Sequence, residues 1–486
     1  MKLGDLLAGV ALEECHADLE TEITGVSYDS RKTAAGDLFA AMTGYAADGH
    51  DFIPAAAEKG AVCVLCERAP EIDIPWVRVA SARRALALLS ANWFSHPAEE
   101  MVMIGVTGTN GKTTTTYLLK NILEEAAGAT VGLIGTNQNM IGSRVIETER
   151  TTPESFELQK LFREMKDSGC THVVMEVSSH ALFLNRVYGI PFEVGIFTNL
   201  TQDHLDFHET MENYCDAKAL LFRMCRTGVV NGDDPWKARL TKDATCRMLT
   251  YAENAQADLM AKHVSLSAMG VAFDAVTAEE SVPISVGIPG GFMVYNTLDV
   301  LGAALALGIP LQKSAAVLAH SAHVKGRVEV VPTDTDYTML IDYAHTPDAV
   351  ENVLRSVRGF AKGRVIALFG CGGDRDRTKR PKMGAIAAEL SDLVIVTSDN
   401  PRTENPKCII QDILAGMYCS QTPHIVVENR VEAICYAMDH AQKDDVIVLM
   451  GKGHETYQII GTEKHHLDER EIIAEHLRQI KTEHKK

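Results

Sequence analysis

A strand-like run that breaks into glycines and reopens as a helix constrains this chain more than any other stretch. Met101 to Val106 is apolar and reads as a buried strand. Lys112 to Ala126 carries Leu118, Leu119, Ile122 and Leu123 on one side of a helix, and Gly128 closes it. Between them runs Thr107-Gly108-Thr109-Asn110-Gly111-Lys112-Thr113-Thr114. Such a loop lets backbone N–H groups converge on phosphate oxygens at a helix N-terminus, while Lys112 supplies a point charge and the Thr113 hydroxyl can ligate Mg²⁺. The ligand it predicts is a nucleoside triphosphate. The strict phosphate-loop pattern would have glycine where Val106 stands, so Gly108, Thr109, Asn110, Gly111, Lys112 and Thr113 carry the signal. An ordinary glycine-rich turn is the competing reading, and it gives no packing reason for Lys-Thr to open a helix.

The length of 486 residues suggests about three domains, and 46% hydrophobic content is ample for several cores. A formal charge of −18 without a Lys/Arg cluster argues against a duplex-binding surface. The eleven cysteines lie mostly inside apolar runs and read as reduced core residues of a cytoplasmic protein; Cys63 and Cys66 form a CxxC, but in a strand-like run without a second pair. Met1 to Leu12 lacks the features of a signal peptide, and no run of 18 apolar residues exists to span a bilayer.

Along the chain the reading is α/β throughout. Up to about Pro97, short strands (Val62 to Leu65, Trp76 to Val79) and the helical Ala82 to Phe94 make a small α/β unit with polar turns at Ser27 to Arg31, Thr43-Gly44 and Asp48-Gly49-His50. From the loop to about Lys325, strands Val131 to Gly135, Thr171 to Val177 and Val194 to Thr198 alternate with helices, which predicts a mostly parallel sheet with covered faces; Thr297 to Leu307 reads as a buried helix. After Gly326, three apolar runs end in polar loops, at Gly370 to Asp374, Ser398 to Arg402 and Gly451 to Glu455. Open parallel sheets bind ligands beyond the carboxyl ends of their strands, so these loops predict a second crevice. Beyond Gly461 the tail reads as charged and helical.

Glu176, near the end of its strand and followed by Ser178-Ser179-His180, is placed where an NTPase holds its metal. His204 and His208 have the spacing of a zinc helix without the Glu of HExxH, so Mg²⁺ ligation by His204 or a structural role is the better reading.

Taken together, Thr107 to Thr114, Met175 to His180, Asn199 to Asp206 with Lys218 following, Gly326 to Glu329, Asp342 to Pro347, Gly372 to Asp376 with Lys379-Arg380-Pro381, and Gly451 to Glu455 resemble the Mur ligase family, and within it the members that add the third peptide residue. The motifs run from end to end of the chain. The resemblance implies three domains: a small α/β UDP-binding domain (1–98), a central P-loop-type ATPase with a mostly parallel sheet (99–325) and a C-terminal Rossmann-like domain for the incoming amino acid (326–486). It implies that ATP phosphorylates the γ-carboxylate of D-Glu in UDP-N-acetylmuramoyl-L-Ala-D-Glu, and that an amine of meso-diaminopimelate attacks the acyl phosphate. A carboxylate is no electrophile until phosphate makes its oxygen a leaving group.

By this resemblance Lys112 neutralises the transferring phosphoryl group, and Thr113, Glu176 and His204 surround Mg²⁺. Lys218, a helix-surface lysine by sequence alone, matches the family's carbamylated lysine, whose anion can ligate a second Mg²⁺. Gly108 to Thr114, Asn296, Arg327, Asp342 and His345 are the implied ATP contacts. Thr151, Thr152, Ser178 and Arg186 would hold the muramoyl-dipeptide, and Ser27, Ser30 and His50 the UDP end. Leu184 replaces a polar amide common among relatives, and Met293 the first asparagine of a Phe-Asn-Val-Tyr-Asn pattern.

The diaminopimelate contacts implied are Asp399, Asn400, Arg402, Arg380, Gly451 and Glu455, with Arg402 matching the far carboxylate bidentately and Glu455 receiving an ammonium. Diaminopimelate differs from lysine by that carboxylate. The expected partners are these small molecules alone, with no nucleic acid or membrane, and the chain a monomer. The rivals are a lysine-adding variant, a folylpolyglutamate synthetase-like ligase and a nucleotide-hydrolysing switch.

Overall fold

The computed structural model describes residues 1–486 apart from 45–46, 149, 268–269, 322–324 and 484–486. Among the described residues, three large sheets follow one another along the chain, each chiefly parallel at its centre. The first has five strands, in the order Leu12–His16, Trp76–Val79, Cys63–Cys66, Asp37–Ala40 and Gly25–Ser27, with the outermost Leu12–His16 antiparallel. Cys63 and Cys66 are buried in its core, which pushes their thiols up to about 12 and about 11.

The second sheet has eleven strands. Val102–Thr107 lies at its middle, parallel to His172–Glu176 on one side and Phe192–Phe197 on the other. Side chains of a strand alternate between faces, so Ile104 and Val106 enter one core with the helices Lys112–Ala127 and Phe292–Ala306, while Met103 enters the opposite core with Phe162 and Met165 of Ser155–Asp167. Leu118, Leu119, Ile122 and Leu123 are fully buried, each worth roughly 2 kcal/mol of apolar transfer. Antiparallel strands finish both edges, Asn139–Ile141 with Arg144–Ile146 and Leu259–Ser267 through Ser281–Val286.

The last large sheet has six strands, with Thr338–Asp342, Val446–Met450, Val365–Phe369, Leu393–Val396 and His424–Val426 parallel and Glu329–Val331 antiparallel at one edge. The polar loops after Asp342, Phe369, Val396 and Met450 therefore emerge along one carboxyl edge. Two boundaries differ from the sequence reading. The helix expected from Thr297 starts at Phe292. The tail is not helical directly after Gly461: Tyr457–Ile460 and Glu463–His466 form a hairpin before the helix Glu469–Glu483. All four residues of Glu463–His466 are exposed and polar, so no apolar alternation betrays the strand.

Candidate active site

The phosphate loop is shaped by its own glycines and by a scaffold from the neighbouring strand. Gly108 has φ 146°, and a Cβ there would lie 1.9 Å from Thr198 Oγ1, so only glycine fits. Thr198 Oγ1 donates to the Asn110 carbonyl at 2.6 Å, Asn199 Oδ1 accepts from Asn110 N at 3.0 Å, and Thr109 N donates to Asn199 O at 2.9 Å. Asn199 entered the sequence reading only as the start of the Asn199 to Asp206 motif, without a role; here it holds the loop. Asn296 packs its amide against Gly111 and donates to the Met293 sulfur at 3.8 Å, so the methionine departure is absorbed in the core.

Two lysines meet beneath this loop. Lys112 Nζ donates to Gly108 O at 3.0 Å and Thr109 O at 2.9 Å; Lys218 Nζ donates to the same Gly108 O at 2.7 Å and lies 4.4 Å from the Tyr214 ring centre. Burial pushes both below the usual lysine value, Lys218 far below, with Lys112 adding to its shift. Lys218 is 1% exposed, which corrects its reading as a surface lysine. Two ammonium groups on one carbonyl oxygen repel, so the geometry favours a neutral Lys218 amine.

Glu176 ends its strand opposite. Its Oε1 accepts from Thr113 Oγ1 at 2.9 Å and Thr136 N at 3.0 Å, and its Oε2 from Thr136 Oγ1 at 2.9 Å. Thr136, which the sequence reading passed over, shares a hydrogen bond with Thr151 at 3.0 Å. Thr152 Oγ1 donates to Glu176 O at 2.9 Å and accepts from Ser178 N at 3.1 Å, and Arg186 Nη1 donates to Thr152 O at 3.1 Å. Thr151, Thr152, Ser178 and Arg186 thus form one run beside the phosphate loop. Arg186 is already paired with Glu154 at 2.8 Å. A cavity of about 580 Å³ opens next to it, between Tyr28, Asp29 and Arg31 of the first unit and Arg150, Pro153 and Glu154 of the second.

His204 adopts a left-handed backbone (φ 52°) ahead of the four-residue helix Leu205–His208, and both His204 and His208 pack against the His180 and Tyr214 rings. His204 packs edge-on to His180 at 4.8 Å and faces Asp203 at 3.4 Å; His208 Nε2 pairs with Ser179 Oγ at 2.9 Å. Burial lowers His204 from its ordinary value and His180 and His208 to about 4. Among the described residues, no group of three or more His, Cys, Asp or Glu could hold a metal. The donors present are a hydroxyl, a carboxylate and an imidazole on a phosphate loop. They suit Mg²⁺, which is usually held by one or two carboxylates together with substrate phosphates.

The first unit supplies a correction. His50 has both ring nitrogens occupied, Nδ1 by Asp48 Oδ1 at 2.6 Å and Nε2 by Glu67 N at 2.9 Å, and is buried. It braces its own turn and has no nitrogen left for a ligand. Ser27 shares a hydrogen bond with Thr33 at 3.0 Å and is buried, whereas Ser30 is partly exposed.

The last unit reaches the phosphate loop directly. Arg327 Nη2 donates to Thr113 Oγ1 at 3.1 Å while its guanidinium lies over Tyr343. Asp348 Oδ2 accepts from Asn110 Nδ2 at 2.7 Å and Thr201 Oγ1 at 2.8 Å. Asp342 accepts from Val328 N and Ala344 N, fixing the Arg327 loop, and burial raises it. His345 is exposed, with Nδ1 on Tyr343 O at 2.9 Å. Tyr343 in turn packs against His454 at 4.9 Å, so the contacts lead from Thr113 into the second crevice.

That crevice is dense with polar contacts. A Cβ on Gly451 (φ 110°) would lie 2.4 Å from Asp399 Oδ2. Asn400 Nδ2 donates to Glu455 Oε2 at 2.9 Å, and Lys452 Nζ, given no role in the sequence reading, donates to Asn400 Oδ1 and Glu455 Oε2, both at 3.0 Å. Arg402 Nη1 donates to Gly373 O at 2.8 Å, and its backbone bonds Ile459 O and Gly461 N of the tail hairpin. Arg380 departs from expectation. It is fully buried and paired with Glu404 at 2.7 Å and Asp412 at 2.9 Å, with a bond to Gly372 O. Its charge is spent on bracing the loops that frame the crevice.

Sequence profiles described as Mur ligase middle domain, Mur ligase glutamate ligase domain and Mur ligase family catalytic domain match residues 106–304, 326–453 and 22–96. UDP-N-acetylmuramoyl-L-alanyl-D-glutamate--2,6-diaminopimelate ligase 1 of Clostridium acetobutylicum is 48% identical, over 99% of this chain and 100% of its own. The corresponding ligase of Clostridium botulinum is 48% identical, over 94% and 96%. A solved structure of a UDP-N-acetylmuramoyl-L-alanyl-D-glutamate--2,6-diaminopimelate ligase superposes with a TM-score of 0.73 at 30% identity, covering 99% of each chain.

Proposed function

The chain belongs to the Mur ligase family, and from that premise we propose that it is an ATP-dependent ligase joining meso-diaminopimelate to the D-Glu γ-carboxylate of UDP-N-acetylmuramoyl-L-Ala-D-Glu, in peptidoglycan precursor synthesis. The observation that carries this reading is the physical link between crevices: Arg327 and Asp348 of the last unit hydrogen-bond the phosphate loop itself. Residues 1–98 hold the UDP end, 99–325 the ATP and 326–486 the amino acid. The free thiols accord with a reducing cytoplasm, and no helix among the described residues is long and apolar enough to cross a membrane. We take the chain to act as a monomer, without nucleic-acid or membrane partners.

In this mechanism the loop N–H groups and Lys112 bind the triphosphate and offset charge as the γ-phosphoryl moves. A γ-carboxylate oxygen forms the new P–O bond and ADP leaves with the old one. The amine then forms the C–N bond, loses its proton and expels phosphate. Thr151, Thr152, Ser178 and Arg186 orient the dipeptide between the two attacks, with Glu154 yielding Arg186 to the substrate. Thr113, Glu176 and His204 would hold Mg²⁺, which supplies positive charge to the phosphoryl oxygens. As the free amine, which burial favours, Lys218 has the chemistry to add carbon dioxide, releasing a proton and leaving a carbamate as a further ligand. Asp399, Asn400, Arg402, Gly451 and Glu455 receive the far end of diaminopimelate; Arg380 frames their loops.

The test is ATP turnover with each substrate omitted in turn. The proposal predicts turnover that requires both UDP-N-acetylmuramoyl-L-Ala-D-Glu and meso-diaminopimelate. Steady hydrolysis with neither makes the chain a nucleotide switch, and strong activity with lysine rejects the role given to Arg402.

A further inference from the structure

Lys452 has no exposed surface, yet it stands in the middle of the crevice that takes the amino acid. Its ammonium lies 3.0 Å from Glu455 Oε2 and 3.8 Å from Asp399 Oδ1, donates to Asn400 Oδ1, and has the Tyr457 ring 5.8 Å away. Glu455, assigned to receive the substrate's ammonium, is therefore already paired with a cation of the chain. A purely architectural salt bridge would account for this if the loop needed one. The loop is held without it: Arg402 N donates to Ile459 O, Ile459 N to Asn400 Oδ1 and Gln458 Nε2 to the Asp399 carbonyl.

The charges have a simple balance. Asp399 and Glu455 are offset by Lys452 and Arg402, so these four residues carry no net charge and suit the zwitterionic far end of diaminopimelate, one ammonium beside one carboxylate. Without Lys452 the same walls would carry a net negative charge and favour a bare ammonium, such as the side chain of lysine. We propose that Lys452 is a built-in counter-ion that sets the specificity of this crevice, a positioning residue acting through Glu455 and Asn400; the inference rests on the diaminopimelate reading above.

The experiment measures kcat/KM for meso-diaminopimelate and for lysine with the full-length enzyme, its UDP-linked substrate and ATP, for wild type, Lys452→Met, Lys452→Gln and Lys452→Arg. The diaminopimelate-to-lysine ratio should fall by about tenfold or more in the Met and Gln variants, mainly through KM, with KM for ATP within about twofold of wild type. Lys452→Arg, where soluble, should keep more of the ratio than either neutral variant. Both substrates losing activity equally, with the ratio unchanged in a soluble neutral variant, would make Lys452 architectural and overturn the inference. A wild type that does not ligate diaminopimelate at all would instead overturn the functional reading beneath it.

Discussion

The two crevices are built alike and charged differently. Each is a row of loops at the carboxyl ends of parallel strands, as open α/β sheets arrange their ligand sites. At the phosphate loop, the Lys112 ammonium rests on the carbonyls of Gly108 and Thr109 and Arg327 on the Thr113 hydroxyl, and among the described residues neither makes a salt bridge. Those unmatched cations wait for a polyanion. In the second crevice the ions are matched in advance, Lys452 with Glu455 and Arg380 with Glu404 and Asp412, and Arg402 rests on a backbone carbonyl. Unmatched cations attract; a balance selects. The difference follows from the ligands, since a triphosphate must be neutralised whereas an amino-acid terminus must be told apart from close analogues.

Changing the two lysines of the phosphate-loop side should have the largest effect. Lys112→Ala is expected to lower kcat by about 10³-fold, the scale of losing one fixed stabiliser of transition-state charge, and Lys218→Arg, which cannot be carboxylated, by about 10²-fold. Steady-state ligation assays check both, and near-wild-type rates would erase the contrast between crevices. On the balanced side, Arg402→Ala should cut kcat/KM for diaminopimelate by about 10³-fold while leaving ATP binding intact. Equal loss for lysine would show that Arg402 shapes the loop and does not read the carboxylate.

The smallest effect concerns Arg380. It holds the Glu404 carboxyl down to about 2 from 4.5. A depressed carboxyl contributes stability that is present above its unfolded value and is lost as pH falls through the folded one, so the window runs from about pH 4.5 to about 2. Glu404→Gln should therefore lower Tm at pH 7 by a few degrees, with the gap to wild type closing as pH approaches 2. Thermal melts across that range measure it; a constant gap would assign the effect to packing.

The same contrast explains what the sequence could reveal. The phosphate loop was legible because glycine at Gly108, the Lys-Thr helix start and the apolar strand before it are all local features. Its partners were less so. Thr198, Asn199 and Tyr214 reach it from about 90 to 105 residues away, and only the parallel pairing of Val102–Thr107 with Phe192–Phe197 brings the first two close. Composition alone would put Lys218 on a helix surface, because Met211–Ala219 is largely polar while the side chain is buried; only the family resemblance marked it. His50 and Arg380 looked like ligand contacts because a lone His or Arg does not reveal that Asp48, Glu404 or Asp412 already occupies it. Lys452 sits between two glycines after a strand, a signal that marks a loop but not the charge it carries.

The central claim is that one substrate carboxylate receives phosphate in the first crevice and an amine in the second. It is tested most directly by labelling the D-Glu γ-carboxylate of UDP-N-acetylmuramoyl-L-Ala-D-Glu with ¹⁸O and analysing the phosphate released during ligation by mass spectrometry. One ¹⁸O atom per phosphate is the predicted result, because the carboxylate oxygen that captured phosphorus departs with it. Amide product accompanied by unlabelled phosphate would contradict the account.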